Sequence, residues 1–127
     1  MIAGVGLDLV DIARVQRLIA AKGDRAMRRL FTTGESDYAA TRPRPFLHLA
    51  ARVAAKEAAF KALSGADGAR GIGWREMEVV AGADGRPQLA LHGRAAECAK
   101  ALGVTRLHLT LSHSETTAGA VVILERE

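Results

Sequence analysis

The chain has 127 residues, which is enough for one domain and too few for two. An apolar fraction of 49% suits a globular core, and no apolar run approaches the roughly 20 residues that a membrane-spanning helix needs. Eighteen Lys and Arg against fourteen Asp and Glu give a net charge of +4, which fits phosphates, nucleic acid or an acidic protein as partner, and equally a solvated basic face. Aromatic residues make up only 4%, which argues against stacking platforms for single-stranded nucleic acid. We expect one domain over residues 1–127 and no membrane span.

The amino terminus does not have the pattern of a signal peptide. No positively charged segment precedes the first apolar run, and Asp8 and Asp11 interrupt that run. The single cysteine, Cys98, cannot form an internal disulfide, which fits a reducing cytoplasm. We interpret Cys98 as a small apolar residue on a helix, and we expect a cytoplasmic protein.

The first predicted element is a strand over residues 2–10 with two unlike faces. One face is apolar, and the other carries two glycines followed by a carboxylate, Gly4, Gly6 and Asp8. Glycine inside a strand often marks close approach by another backbone or a ligand. The carboxylate has a second interpretation as the cap of the following helix, and for Asp11 we favour the cap.

Three helices are predicted next. Helical spacing covers 11–20, and a short helix over 33–40 is expected to be capped by Thr33 or Ser36. After two prolines, the strongest helical pattern runs over 46–63 and is rich in alanine.

The long helix places charged residues on and beside its apolar stripe. Lys56 falls inside the stripe, Glu57 borders it, and Lys61 lies one turn beyond Glu57 on the same side. The plain interpretation of Glu57 and Lys61 is a surface (i, i+4) ion pair. The alternative is a site for phosphates, since Mg²⁺ bound to substrate phosphates is usually held by one or two carboxylates. Asp8 and Glu57 would supply those carboxylates, with Lys61 and Arg52 on the phosphates.

The rest of the chain predicts a glycine-rich loop, four strands and one helix. The strands and helix cover 75–81, 88–92, 94–102 (the helix), 105–112 and 117–125, after a loop at 64–73. His113 shares parity with the leucines of its strand, so it emerges on the inner side at the strand end. A lone histidine there is more often a packed core residue than a functional one. The pattern as a whole predicts an α+β fold, with an antiparallel sheet packed on one long central helix.

Four segments together, in this order and spacing, resemble the holo-acyl-carrier-protein synthases, the small single-domain 4′-phosphopantetheinyl transferases. They are GVGLDLVDIARV, ARVAAKEAAFKAL, ADGRPQL and LTLSHSETTAGAVVILE, and they span nearly the whole chain. The resemblance implies transfer of phosphopantetheine from coenzyme A to a serine of an acidic acyl carrier protein, releasing adenosine 3′,5′-bisphosphate. It also implies a homotrimer with active sites between subunits, acting in fatty acid or polyketide synthesis.

The resemblance assigns roles to individual residues. Asp8 and Glu57 would be ligands of Mg²⁺, with Mn²⁺ as the alternative, and Lys61 would contact the pyrophosphate. Asp8, Glu57, Lys61 and His113 form the expected catalytic set. The general base stays open between Asp8, Glu57 and a water molecule.

Two further groups of residues are expected to bind coenzyme A and the carrier. The adenosine 3′-phosphate and base would be held by Arg44 and Arg52, with four residues from the neighbouring subunit, Arg86, Pro87, Ser112 and His113. The carrier protein would dock on the basic residues Arg14, Lys22 and Arg25. We expect neither nucleic acid nor a membrane as partner.

Two other function classes fit parts of the sequence. A basic nucleic-acid-binding domain would explain the charge but would leave Asp8, Glu57 and His113 without a purpose. A trimer of the same family that has lost catalysis is the second, and the intact Asp8, Glu57, Lys61 and His113 argue against it.

Overall fold

The computed structural model describes all 127 residues, Met1–Glu127. The α+β class is confirmed, with five strands, five α-helices and two short 3₁₀ turns at Ala69–Gly71 and Trp74–Glu76. The elements in chain order are β1 (Ile2–Asp11), α1 (Ile12–Lys22), α2 (Asp24–Leu30), α3 (Thr33–Ala40), α4 (Pro45–Leu63), β2 (Met77–Ala81), β3 (Pro87–Leu91), α5 (Gly93–Ala101), β4 (Val104–His113) and β5 (Thr117–Arg126).

The strands form two antiparallel units. A three-stranded sheet has the order β1-β5-β4, so the last strand lies in its centre, and β2 and β3 form a separate hairpin. Asp8 is opposite Ala120 of β5, and Ala120 is opposite Leu111 of β4. The register therefore places Asp8 on the same face as the leucines of β4 and His113. That His113 shares a face with these leucines was predicted, and that Asp8 joins them is shown by the register.

Helix α4 lies directly on this inner face because two glycines of β1 let the backbones touch. A Cβ added to Gly4 would overlap the carbonyl oxygen of Ala62, and one added to Gly6 would overlap that of Ala58. The helix meets the strand with alanines that are themselves fully or nearly fully buried. The contact fixes β1 at a spacing that no larger residue permits, and it brings Asp8 against the helix.

Lys56 is fully buried and forms an ion pair with an equally buried Glu35, with 2.8 Å between Nζ and Oε1. The Lys56 ammonium also donates to the carbonyl oxygens of Trp74 and Met77. Glu35 accepts from the backbone N–H groups of Thr32 and Val79. The unexpected lysine in the apolar stripe is thus a structural group that ties α3, α4 and β2 together.

Three details of the helical region differ from the sequence-based expectations. Thr32 caps α3, in a reciprocal capping box with Glu35, so the prediction of Thr33 or Ser36 was wrong. Asp11 occupies the N-cap position of α1, as predicted, but its side chain makes no capping hydrogen bond. Helix α2 was not predicted, and Gly23, with φ of +60°, separates it from α1.

The outer face of the three-stranded sheet is apolar and open. Val5, Leu7 and Leu9 are 58%, 59% and 68% exposed. Val121 and Ile123 of the central strand lie opposite Leu7 and Val5 on the same face and are half-buried. Cys98 is buried on α5, as expected. None of the helices is both long enough and apolar enough to cross a membrane.

The close approach of β1 and α4 predicts a strong effect of Gly6→Ala. The added methyl group must displace the α4 backbone, so we expect the free energy of unfolding to fall by about 3 kcal/mol or more, measured by urea denaturation. Gly65→Ala is the control, because its Cβ would meet only Leu102 at 3.9 Å. Equal stability of the two variants would contradict the role assigned to Gly6.

Candidate active site

Two carboxylates and a lysine meet where β1 crosses α4. Asp8 comes from the strand, and Glu57 and Lys61 come from one side of the helix. The Lys61 ammonium lies 3.0 Å from Oδ1 of Asp8 and donates to the carbonyl oxygen of Leu7. Lys61 therefore pairs with Asp8 across the β1–α4 contact, and the simple (i, i+4) pair of Lys61 with Glu57 is not formed.

Asp8 has one carboxylate oxygen without a partner. With both carboxyl groups ionised, its Oδ2 atom is buried and accepts no hydrogen bond, whereas Oδ1 is held by Lys61. An unpaired buried oxygen costs free energy, and such atoms are uncommon in folded proteins. An ionised Glu57 offers no donor to this oxygen, but a protonated Glu57 or a bound cation does.

The two carboxyl groups titrate as a pair. Burial raises the pKa of Glu57 to about 7, and its hydrogen bond to Asp8 and the Asp8 charge act in the same direction. Burial also pushes the pKa of Asp8 upward, but hydrogen bonds from Glu57 and Lys61 outweigh it and leave that pKa below its usual range. Near neutral pH the pair therefore holds one proton for part of the time.

The donor set fits a hard divalent cation that shares its coordination shell with a substrate. No group of three or more His, Cys, Asp or Glu side chains lies within metal-binding reach. Two carboxylates with one orphaned oxygen match Mg²⁺, which retains waters and phosphate oxygens as its other ligands. Arg14 is near enough to lower the pKa of Glu57, which adds positive potential at the same place.

A second cluster lies on another side of α4. Arg52, Pro87, Ser112 and His113 line one pocket of about 200 Å³ together with Tyr38 and His48. Arg52 is only 6% exposed, and its Nη1 donates to the carbonyl oxygen of His48. The sequence analysis expected Arg52 and His113 to come from different subunits, but one chain brings them together.

Three predicted residues lie around this pocket without joining the carboxylate pair. Arg44 reaches the β4–β5 turn, where its Nη2 donates to the carbonyl oxygen of Glu115. Arg86 does not line the pocket; its side chain is 84% exposed and pairs loosely with Asp84. His113 ends β4, and β5 lies between β4 and the strand of Asp8. Within one chain, His113 is thus separated from the carboxylate pair.

An apolar pocket that the sequence analysis did not predict borders the carboxylate pair. It measures about 470 Å³ and includes Glu57 and Lys61 in its lining. Its apolar walls are Phe60, Ile72, Trp74 and Met77. Ile72 lies near the end of the glycine-rich loop over 64–73 and Trp74 directly follows it, and the signal for them was this pair of large apolar residues where the loop ends.

The predicted partner residues lie on the exposed face of α1 and α2. Arg14, Lys22 and Arg25 are all exposed. Lys22 and Arg25 border a cleft that also includes Leu18, Arg29 and Trp74. Trp74 thus lies between this basic face and the apolar pocket beside Glu57.

Comparison with known proteins shows the family to which the chain belongs. A family model described as the 4′-phosphopantetheinyl transferase superfamily matches residues 4–119. The chain belongs to this superfamily. Curated relatives named holo-[acyl-carrier-protein] synthase also match over nearly the whole chain, and one from Anaeromyxobacter sp. (strain K) is 47% identical over 98% of this chain and 97% of the relative. The resemblance to these synthases and the assignment to the transferases are confirmed.

Solved structures of this superfamily have the same fold. An ACPS–CoA complex from Chronobacterium ammoniagenes has a TM-score of 0.82 at 32% identity, covering 98% of this chain and 97% of that one. The holo-[acyl-carrier-protein] synthase from Neisseria meningitidis also has a TM-score of 0.82, at 30% identity, covering 99% and 100%.

The raised pKa of Glu57 predicts a pH-dependent stability difference between the wild type and Glu57→Gln. The folded state raises this pKa from 4.5 to about 7, so the wild type loses stability as pH rises through that window, and the glutamine variant does not. We expect the melting temperature of Glu57→Gln minus that of the wild type to increase between pH 5 and pH 8 in EDTA. Glu97→Gln, at an exposed position on α5, is the control. Parallel curves for Glu57→Gln and the wild type would contradict the shared proton.

Proposed function

We propose that the chain transfers the 4′-phosphopantetheine group of coenzyme A to a serine of an apo acyl carrier protein and requires a divalent cation. The observation that carries the proposal is the Asp8–Glu57 pair, with its orphaned Asp8 Oδ2 and the adjacent Lys61. The synthase names of the relatives and the CoA complex of a related structure support the choice of substrates.

Asp8 and Glu57 would hold Mg²⁺, or Mn²⁺ in its place. When bound, the cation supplies Lewis-acid polarisation of the phosphoryl oxygens and neutralises charge as the leaving group departs. Glu57 must first give up the proton that the pair holds near neutral pH. Cation binding should therefore weaken as pH falls below about 7.

The remaining chemistry is positioning and charge stabilisation. The serine oxygen of the carrier attacks the β-phosphorus of coenzyme A, and the bond from that phosphorus to the bridging oxygen breaks. Adenosine 3′,5′-bisphosphate leaves with the electron pair, and the serine proton passes to a base. Lys61 is 57% exposed beside Asp8, so its ammonium is free to turn toward the pyrophosphate oxygens. Asp8, Glu57 or a water molecule would accept that proton.

The arrangement of α4 supports an active site between subunits. Arg52 and Glu57 are five residues apart on one helix, so they point about 140° away from each other. One coenzyme A molecule reaches both most simply if its pyrophosphate lies at Asp8 and Glu57 of one subunit and its 3′-phosphate at Arg52 and His113 of the next. In this arrangement Arg52 and Arg44 come from the same subunit as Ser112 and His113, whereas the family resemblance implied that they come from the neighbouring one.

The apolar outer face of the sheet is the surface we propose for association into a homotrimer. Val5, Leu7 and Leu9 expose more than half of their surface in the single chain, together with the half-buried Val121 and Ile123. A contiguous apolar patch of this kind marks an interaction surface. Burying it would leave the basic face of α1 and α2 free for the acidic carrier protein.

Incubation with apo acyl carrier protein, coenzyme A and Mg²⁺ should add the mass of one phosphopantetheine to the carrier, measured by intact-protein mass spectrometry. EDTA should abolish the gain, and Glu57→Ala should slow it by about a hundredfold or more, because the cation and its charge stabilisation are lost. Glu97→Ala is the matched control and should behave as the wild type. No gain with carriers of fatty acid, polyketide and peptide synthesis would overturn the proposal.

Leu7→Glu should separate the trimer into smaller species, measured by light scattering after gel filtration. The substitution forces an unpaired charge into the proposed interface, which costs several kcal/mol. Leu18→Glu on α1 is the control and should leave the association state unchanged. If Leu7→Glu remained trimeric, the assembly would use another surface.

A further inference from the structure

The pocket around Arg52 contains the aromatic ring of Tyr38, which two arginine side chains contact. The guanidinium carbons of Arg42 and Arg52 each lie 4.2 Å from the centroid of the Tyr38 ring. His48 meets the same ring edge-on, with 5.5 Å between centroids and an interplanar angle of 77°. Both guanidinium contacts fall well inside the roughly 6 Å range in which the ring quadrupole attracts a cation.

The arginines of this cluster form no direct ion pair with a carboxylate. Arg42, Arg44 and Arg52 take part in none of the five salt bridges of the chain. The Arg52 residue is only 6% exposed, and its Nε atom is buried without a hydrogen-bond partner. Burial lowers the pKa of His48, and the charges of Arg52 and Arg42 lower it further, which reflects the same crowding of positive charge. An unneutralised group of this kind is stabilised by a bound anion.

The helix that carries Tyr38 is anchored to the rest of the fold. Tyr38 lies on α3, whose first turn is fixed by the capping box of Thr32 and Glu35. Glu35 is fixed in turn by the buried Lys56. Arg42 follows the end of α3 and donates its backbone N–H to the carbonyl oxygen of Ala39. The Tyr38 ring thus projects from an anchored helix and lies between two long side chains that no ion pair restrains.

We propose that Tyr38 is a positioning residue that orients the guanidinium groups of Arg42 and Arg52 toward the 3′-phosphate of coenzyme A. The inference rests on the proposed function for the identity of the ligand. A phosphomonoester carries close to two negative charges at neutral pH and accepts bidentate hydrogen bonds from arginine. Stacking on the ring restricts the rotamers of both arginines before the ligand arrives, which lowers the entropic cost of binding. Tyr38 therefore sets the preference for nucleotides that carry a 3′-phosphate over those that lack it.

The test compares the binding of adenosine 3′,5′-bisphosphate and adenosine 5′-monophosphate by calorimetry in the presence of Mg²⁺. The proteins are the wild type, Tyr38→Leu and Tyr38→Phe. The wild type should prefer the bisphosphate, and Tyr38→Leu should lower the ratio of the two affinities by about tenfold, because both guanidinium contacts are lost. Tyr38→Phe retains the ring and should keep the wild-type ratio.

Three results would overturn the inference. The first is a wild type that binds the two nucleotides with equal affinity. The second is a Tyr38→Leu variant whose affinity falls equally for both nucleotides. The third is a Tyr38→Phe variant that loses the preference for the bisphosphate, as Tyr38→Leu is expected to. The ratio is unaffected by a general loss of folded protein, and melting curves of both variants check the fold. Binding does not require turnover, so absence of phosphopantetheine transfer by the wild type would refute the proposed function without deciding the role of Tyr38.

Discussion

The contact between β1 and α4 is the constraint on which the rest of the site depends. Gly4 and Gly6 leave no side chain between the strand and the carbonyl oxygens of the helix. The strand is therefore close enough for Asp8, two residues after Gly6, to meet Glu57 and Lys61 from the helix. Burial at this junction raises the pKa of Glu57 to about 7 and leaves one oxygen of Asp8 without a partner. The close contact between β1 and α4 thus determines both the geometry and the electrostatics of the carboxylate pair.

Two lysines of α4 have different roles, one in stabilising the fold and one in the candidate site. Lys56 is fully buried, and its ammonium is saturated by Glu35 and two carbonyl oxygens, so it has no capacity left for a ligand. Lys61 is more than half exposed and is held by Asp8 and one carbonyl oxygen. The fully satisfied buried pair of Lys56 and Glu35 stabilises the fold, and the partly satisfied exposed pair of Lys61 and Asp8 is left accessible to the proposed substrate. Removing one partner of the buried pair would disturb α3 and, with it, Tyr38.

Much of the fold and part of the site follow from the sequence alone. Strand parity separated the two faces of β1 without saying which one faces the helix, and it placed His113 on the inner side of its strand. The motif order predicted the family. The burial of Lys56 and the pocket lined by Ile72 and Trp74 did not follow, because each depends on contacts between segments distant in the chain. The cap of α3 is different, since Thr32 and Glu35 form a local pattern that the sequence shows but that the prediction of Thr33 or Ser36 missed. The aromatic–arginine spacing of Tyr38 and Arg42 was visible, but Arg52, which completes the cluster, comes from another helix. Periodicity also did not predict the exposure of Leu7 and Leu9, because it separates the two faces of a strand but does not show which face is covered by another element.

The central claim is that Asp8 and Glu57 together hold a cation that contacts coenzyme A. Crystals grown with Mn²⁺ and coenzyme A would test it most directly through anomalous scattering. The account predicts a strong peak within bonding distance of an oxygen from each carboxylate and of a pyrophosphate oxygen, which disappears in Glu57→Ala. Coenzyme A bound without a peak between the two carboxylates, or with the metal held elsewhere, would contradict the account.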